Sequence, residues 1–440
     1  MKHDTAAIYK GGKEIPMNQT AEALFHLLEK GSSAVMAVRE AEERLAGAGF
    51  QELRFCQSWG LSENGKYYVK HHDTTLFAFT VGEWAAPRCA VRIGAAHTDF
   101  PCLRIKPNPD LCTAGYAQVN VEVYGGAILN TWLDRPLGIS GRVAVRSSDV
   151  MHPDMRFLSI DRPLLVIPNL AIHMNRDINQ GFSYNPQVDM LPIFSDEKER
   201  KLLDVIALEA GISKEKILSD DLFVYVRQKG CLVGEDGQWM MSPRLDDLEC
   251  VYAALEGMLS ADPQEYIALS AFFDSEEVGS GTRQGAGSEF LAQTISGIAG
   301  SLAMTKVGHR KLLTGSFMVS ADNAHAVHPN HPEKADPTNR PKMNGGIVIK
   351  FHGGQKYTTD GYSSAYMAKL CREAGVEYQT YYNRSDIAGG STLGNISTAH
   401  VSVPSVDIGF AQLAMHSAVE TAGREDIFQG IRLFEHYWSK

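Results

Sequence analysis

Residues 266–281 read YIALSAFFDSEEVGSG. The first eight are short, apolar and aromatic-rich, the composition of a strand buried inside a sheet, and the run ends on Asp274, Glu276 and Glu277. Water is scarce at such a place. Glu276 and Glu277 are neighbours, so in extended backbone their side chains leave on opposite sides. Anions crowded there need compensation. Either a metal supplies it, or these are the acids of an ordinary surface loop.

Working outward, the segment CAVRIGAAHTDFP (89–101) reads as a second buried strand, ending at His97 and Asp99. After Ser242 the chain alternates helix (DLECVYAALEGML), strand (YIALSAFF), helix, strand (GSFMVSAD), strand (GGIVIKF), helix (YSSAYMAKLCREAG) and strand (SVPSVDIGF). That alternation marks an α/β sheet covered by helices. Upstream, residues 21–49 carry helical patterning with Val35, Val38, Ala41 and Leu45 on one face, read as one scaffold helix. Residues 67–82 read as two short strands. Between 101 and 235 the texture changes to short β-patterned runs (AQVNVEVYG, GRVAVRS), frequent proline and glycine, and one convincing helix at 197–209. The expected fold is a mixed-sheet α/β/α domain built from 1–100 and 236–440, with an inserted β-rich domain at 101–235.

Composition narrows the class. A chain of 440 residues suggests about two domains with ample apolar content to bury. Lys+Arg 42 against Asp+Glu 52 gives a net charge of −10 with no long run of either sign, which argues against nucleic acid as a partner. No stretch has the uninterrupted apolar length of a membrane span, and the first residues lack a signal-peptide core, so a soluble cytoplasmic protein is expected. Seven cysteines without a CxxC pair fit reduced core thiols better than disulfides or a zinc ribbon.

Other strand ends carry the chemistry seen at 274–277. His97 closes one strand, Asp246 (SPRLDDLE) stands at a loop-to-helix junction, Asp322 (SADNAHAVHPN) follows another strand, and His416 (QLAMHSAVE) another. With Glu277 they make two histidines and three carboxylates. Ligands of open α/β sheets bind at the carboxyl ends of strands, where residues remote in sequence converge. Imidazole and carboxylate suit zinc, and one carboxylate can bridge two ions. Taken singly, each residue also has a plain reading: a satisfied strand-end histidine for His97, a helix N-cap for Asp246, loop polars for Asp322 and His416.

With these residues in view, the chain resembles the aspartyl aminopeptidase family of dinuclear zinc exopeptidases. The motifs that carry the resemblance are AAHTDFPCLRIKP, PNLAIHMNRDIN, SPRLDDLE, DSEEVGSGTRQGA, SADNAHAVHPNHPEK, GGIVIKF, SDIAGGSTLG and QLAMHS. The resemblance implies a metallopeptidase domain in which His97 and Asp322 hold one zinc, Glu277 and His416 the other, and Asp246 bridges them; cobalt or manganese are possible substitutes. It implies Glu276 as general base, Asp99 as the carboxylate on the far nitrogen of the His97 ring, and a cis peptide after Asp246. It further implies His328 as oxyanion donor and Lys350 as partner of an acidic N-terminal side chain. Asp386, Ser391 and Thr392 stand around the Gly389-Gly390 turn, either as a lining for the residue to be removed or as an ordinary tight turn.

The implied partners are peptides and copies of the same chain. In a twelve-subunit shell, His173 would reach a neighbouring subunit's site, the insert providing the contacts. Phe100 and Asp247 depart from residues frequent in the family, which bears on the pocket but removes no ligand. Two other functions share these residues: an inert metal-binding shell protein, which intact Glu276 argues against, and a carboxypeptidase or deacylase with the same kind of centre.

Overall fold

The computed structural model describes residues 7–10, 13–82 and 90–439. Its centre is a mixed nine-stranded sheet. In spatial order it runs Tyr378–Tyr382, Ile347–Phe351, Ser405–Gly409, Phe317–Ala321, Val91–His97, Ile267–Phe273, Thr75–Val81, Lys66–His71 and Gln51–Leu53. The middle four, from Ser405–Gly409 to Ile267–Phe273, are mutually parallel, with Phe273 in register with His97. Their C-terminal ends therefore open on the same edge. This one fact gathers His97, Glu276, Glu277 and Asp322 although they are spread over more than half the chain.

Side-chain alternation along these strands feeds two cores. Ile267, Leu269, Ala271 and Phe273 pack with Val91, Ile93 and Ala95 under the helices Phe290–Ser301 and Lys306–Gly315. Ala268 and Phe272 face the opposite side, among residues of Leu245–Ser260, Arg424–Ser439 and the two N-terminal helices. The result is the expected helix–sheet–helix sandwich. Each buried phenylalanine in it, such as Phe77, Phe79 and Phe272, contributes about 1.5–3 kcal/mol by leaving water.

Every strand of a second, antiparallel six-stranded sheet lies between Cys102 and Val226. Its apolar face, including Val119, Ile139 and Val224, continues the cluster that holds Phe272. A five-stranded sheet joins Cys231–Val233 and Trp239–Ser242 to Glu420–Gly423, Ala411–Leu413 and Ala324–His325. It carries the chain towards His416. Among the described residues no helix is long and apolar enough to cross a membrane.

Three sequence expectations need correction. The single helix expected over 21–49 is two, Met17–Lys30 and Ala34–Gly47. The break falls at Gly31, where a Cβ would stand 3.0 Å from Leu248 and from the Leu27 carbonyl, and Ser32 turns aside to bond Ser140 and Ser159. The helix expected at 197–209 begins later, at Leu202–Ala210, because its start is fixed by a remote acceptor: the Leu202 N–H donates to Asp110, 2.8 Å away. The six described cysteines are free thiols, but among them Cys102, Cys250 and Cys371 are buried while Cys56, Cys112 and Cys231 are exposed; Cys89 lies outside the described residues.

Candidate active site

At the shared strand edge, acid and imidazole groups form two clusters with one member in common. Ligand atoms of His97, Asp246, Asp247 and Asp322 all lie within 4.8 Å of one another, as do those of Asp246, Glu277 and His416. Asp246 faces both ways: its Oδ1 is 3.8 Å from His97 Nε2 and its Oδ2 is 3.3 Å from His416 Nε2. The His416 Nε2 is also 3.4 Å from Glu277 Oε1. Asp247 belongs to the first cluster while its Oδ2 accepts the His97 backbone N–H at 3.0 Å. The peptide between Asp246 and Asp247 is cis, as the resemblance implied.

Both imidazoles are oriented from behind. The Nδ1 of His97 lies 2.9 Å from the Asp99 carbonyl, and that of His416 lies 3.2 Å from the Gly126 carbonyl. A carbonyl only accepts, so each ring carries a proton on Nδ1 and turns its Nε2 to the acids. Asp99 thus serves His97 chiefly through its main chain, with its carboxylate at 3.5 Å. That carboxylate instead accepts the N–H groups of Glu276 (3.0 Å) and Glu277 (3.1 Å) and the Tyr124 hydroxyl (2.8 Å). Glu420, buried below, accepts the N–H groups of His416 (2.7 Å) and Asp246 (2.9 Å).

The electrostatics call for cations. Burial pushes the Glu276 carboxyl up to about 8 and lifts Glu277 well above the usual carboxylate range, with neighbouring acids adding to the effect and histidines opposing it. Burial would depress His416, but Asp246 and Glu277 outweigh it and lift the imidazole to about 10. His97 is raised in the same way, by Asp247 above all once burial is overcome. Asp246 Oδ1 and Glu277 Oε1 are buried with no hydrogen-bond partner. Orphaned carboxylate oxygens facing imidazole nitrogens fit a metal centre, since buried charge persists only when compensated.

A cleft of about 330 Å³ opens onto these groups, lined by His97, Asp246, Glu276, Asp322 and His416 on one side. His325, Lys350, Tyr357, Tyr381, Ser391 and Thr392 form the remainder with their neighbours. Lys350 is 2 % exposed; its Nζ donates to the carbonyls of Asp322 (2.7 Å) and Asn323 (3.2 Å) and stands 3.6 Å from Asp322 Oδ2.

The other expected site residues fall elsewhere. His328 is exposed and does not line the cleft; His325, three residues earlier, does. His173 is exposed in the loop after the bridge at Val166 and does not line the cleft of its own chain. Asp386 is paired with Arg384 at 2.7 Å, away from the cleft, whereas Ser391 and Thr392 line it. Phe100 packs beneath Arg244 rather than in this cleft. Asp274, without a role in the sequence reading, is buried and accepts the Ser275 N–H at 2.6 Å.

The family described as aminopeptidase I zinc metalloprotease (M18) matches residues 27–438. The chain belongs to the M18 family. It is 45 % identical over 425 residues to a probable M18 family aminopeptidase 2 of Clostridium acetobutylicum, covering 95 % of this chain and 98 % of the relative. Among solved structures it is similar to Ape4 in its complex with Nbr1, with TM-score 0.91 and 31 % identity over 96 % of this chain and 86 % of that one. It is also similar to the S. cerevisiae mApe1 dodecamer, with TM-score 0.82 and 25 % identity over 96 % and 97 % of the two chains. This M18 chain is accordingly a metallo-aminopeptidase, a hydrolase.

Proposed function

We propose that this M18 enzyme removes N-terminal residues, by preference Asp or Glu, from peptides, using water activated between two zinc ions with Glu276 as general base. The observation that carries the reading is the pair of clusters sharing Asp246. His97 and Asp322 would hold one ion, Glu277 and His416 the other, and Asp246 both. When bound, such a pair polarises the scissile carbonyl and lowers the pKa of water from 15.7 toward about 7. Glu276 lines the cleft, belongs to neither cluster and is held by its backbone to Asp99, so it is the carboxylate free to take the proton and return it to the leaving amine.

A panel of free-amine and N-blocked peptides tests the reading. Cleavage of free-amine substrates alone is expected; release of C-terminal residues or of acyl groups would replace it with the carboxypeptidase or deacylase reading.

The acidic preference rests on Lys350. An ammonium has three donors, and two are committed to carbonyls. The third, on the side of the cleft that Tyr357, Tyr381, His325, Ser391 and Thr392 share with it, suits a substrate carboxylate. Lys350→Met is expected to lower kcat/KM for N-terminal Asp about tenfold or more relative to N-terminal Ala, as loss of a charge-assisted hydrogen bond would. Because Lys350 also braces Asp322, the ratio between the two substrates is the measurement. An unchanged ratio would place acidic recognition elsewhere.

The domain division, 1–100 with 236–440 and 101–235 between them, is kept as our reading, supported by the six-stranded sheet's confinement to one segment. Self-association, into twelve subunits as in the similar dodecamer, is supported by Leu170, Ile172, Met174 and Val188, apolar residues exposed on that segment.

A further inference from the structure

The two metal clusters are not supported in the same way. His97 is oriented by the Asp99 carbonyl and by Asp247, and Asp322 is braced by Lys350, all from the nine-stranded-sheet side; the six-stranded sheet meets this support at one remove, through the Tyr124 hydroxyl on the Asp99 carboxylate. Glu277 and His416 are instead pressed against the connection at 125–131, which belongs to the six-stranded-sheet segment. The Gly126 carbonyl accepts from His416 Nδ1 at 3.2 Å, the Ile128 N–H donates to the His416 carbonyl at 3.0 Å, and Thr131 Oγ1 accepts the Ala418 N–H at 2.8 Å. Thr131 in turn donates to the Ile128 carbonyl at 2.6 Å, closing the turn on itself.

The approach is close enough to exclude side chains. A Cβ on Gly125, whose φ is +73°, would stand 3.0 Å from Glu277 Oε2, and one on Gly126 would stand 3.1 Å from His416 Nδ1. His416 itself has φ +66°, a left-handed conformation that a non-glycine residue holds only when its surroundings fix it. The contacts to its Nδ1, its carbonyl and the Ala418 N–H are part of what fixes it.

We infer that the connection at 125–131 is a positioning element for the second metal, so that the affinity of this one site, and not the other, depends on how the six-stranded sheet sits against the catalytic strands. Gly126 and Thr131 belong to neither ligand cluster and do not line the cleft; Gly126 meets the His416 ring directly, and Thr131 holds the turn through Ile128 and Ala418. The inference rests on the two-metal reading above and goes beyond it. Its consequence is a sequence of loading: any displacement of the six-stranded sheet, as on assembly, is felt first as loss of the Glu277–His416 ion.

The test is zinc alone, titrated into the chelated full-length protein against a competing indicator, with zinc per chain counted after gel filtration. Wild type is expected to take up two ions. Thr131→Val, which keeps the shape but removes the acceptor, and Gly126→Ala, which crowds the imidazole, should each weaken one equivalent by about 10–100-fold and leave the other unchanged, the range found for partners behind a ligand. Thr131→Ser, with the hydroxyl restored, should recover both. Two ions in wild type and unaltered uptake in both variants, or parallel loss of both equivalents in both, overturns the inference while leaving the two-metal reading standing. A single ion in wild type overturns the two-metal reading and this inference with it. Gly126→Ala keeps the test decisive if Thr131→Val does not fold.

Discussion

Glu276→Gln is expected to keep zinc content near that of the wild type and to lower turnover by about 10²–10⁴-fold, the usual worth of a positioned general base. The amide has the carboxylate's shape, and the contact that holds this turn, the Glu276 N–H to Asp99, is main-chain and survives the change. Glu276 belongs to neither ligand cluster, so no metal bond is lost. Glu277→Gln should behave in the opposite sense. Its side chain is 3 % exposed, its Oε1 has no hydrogen-bond partner and faces His416 Nε2 at 3.4 Å, and an amide there offers no charge to a cation. Loss of about one zinc per chain, with activity falling in proportion and returning at high zinc, is the expected phenotype. Metal counting beside single-turnover kinetics separates the two residues, and exchanged phenotypes would exchange their roles.

That two acids stand at the end of a buried strand was legible in the sequence, but the extended backbone expected to part their side chains is not what parts them: the strand closes at Phe273 and Glu276–Val278 form a 3-10 turn, held by the Asp99 carboxylate, from which Glu276 lines the cleft and Glu277 meets His416. Convergence of His97, Glu277 and Asp322 was legible for a related reason. Parallel strands must deliver their C-terminal ends to one edge, and apolar runs locate those ends. What escaped were contacts made by main-chain atoms across long separations. Nothing in VEVYGGA announces that the Gly126 carbonyl will orient a histidine 290 positions away, although the Gly-Gly pair after a strand is the kind of signal a close approach leaves. Glu420 escaped because a carboxylate that accepts two backbone N–H groups has no required spacing from either. Asp407 is a third case: buried within its strand, it accepts Thr392 Oγ1 at 2.5 Å and the Thr358 N–H at 2.6 Å, tying together two loops that wall the cleft. The break at Gly31 was hidden for another reason. Helical periodicity runs straight through residues 21–49, and neither the approach of Leu248 from a distant helix to Gly31 nor the Ser32 bonds to Ser140 and Ser159 leave a mark on it.

The insert supplies the other large expected effect. His173 is exposed, lies outside its own chain's cleft, and shares its loop with Leu170, Ile172 and Met174, the last of them 75 % exposed. Exposed apolar residues gathered on one loop mark a surface that another molecule covers. If the cover is a second copy of the chain and His173 enters that copy's cleft, each site is completed in trans, and an isolated subunit binds metal but lacks one substrate-contacting group. His173→Phe should then be nearly inactive with full zinc, as should Glu276→Gln. Mixed under conditions where subunits exchange, the two dead proteins should regain activity, because some sites combine an intact Glu276 in one subunit with an intact His173 from its neighbour. For random mixing in equal amounts that is about a quarter of all sites, each requiring two independent choices of one in two. Light scattering and isotope-labelled exchange establish that the subunits have mixed. Exchange without recovered activity, or a fully active stable monomer, would return His173 to its own chain and leave the insert acting only within it.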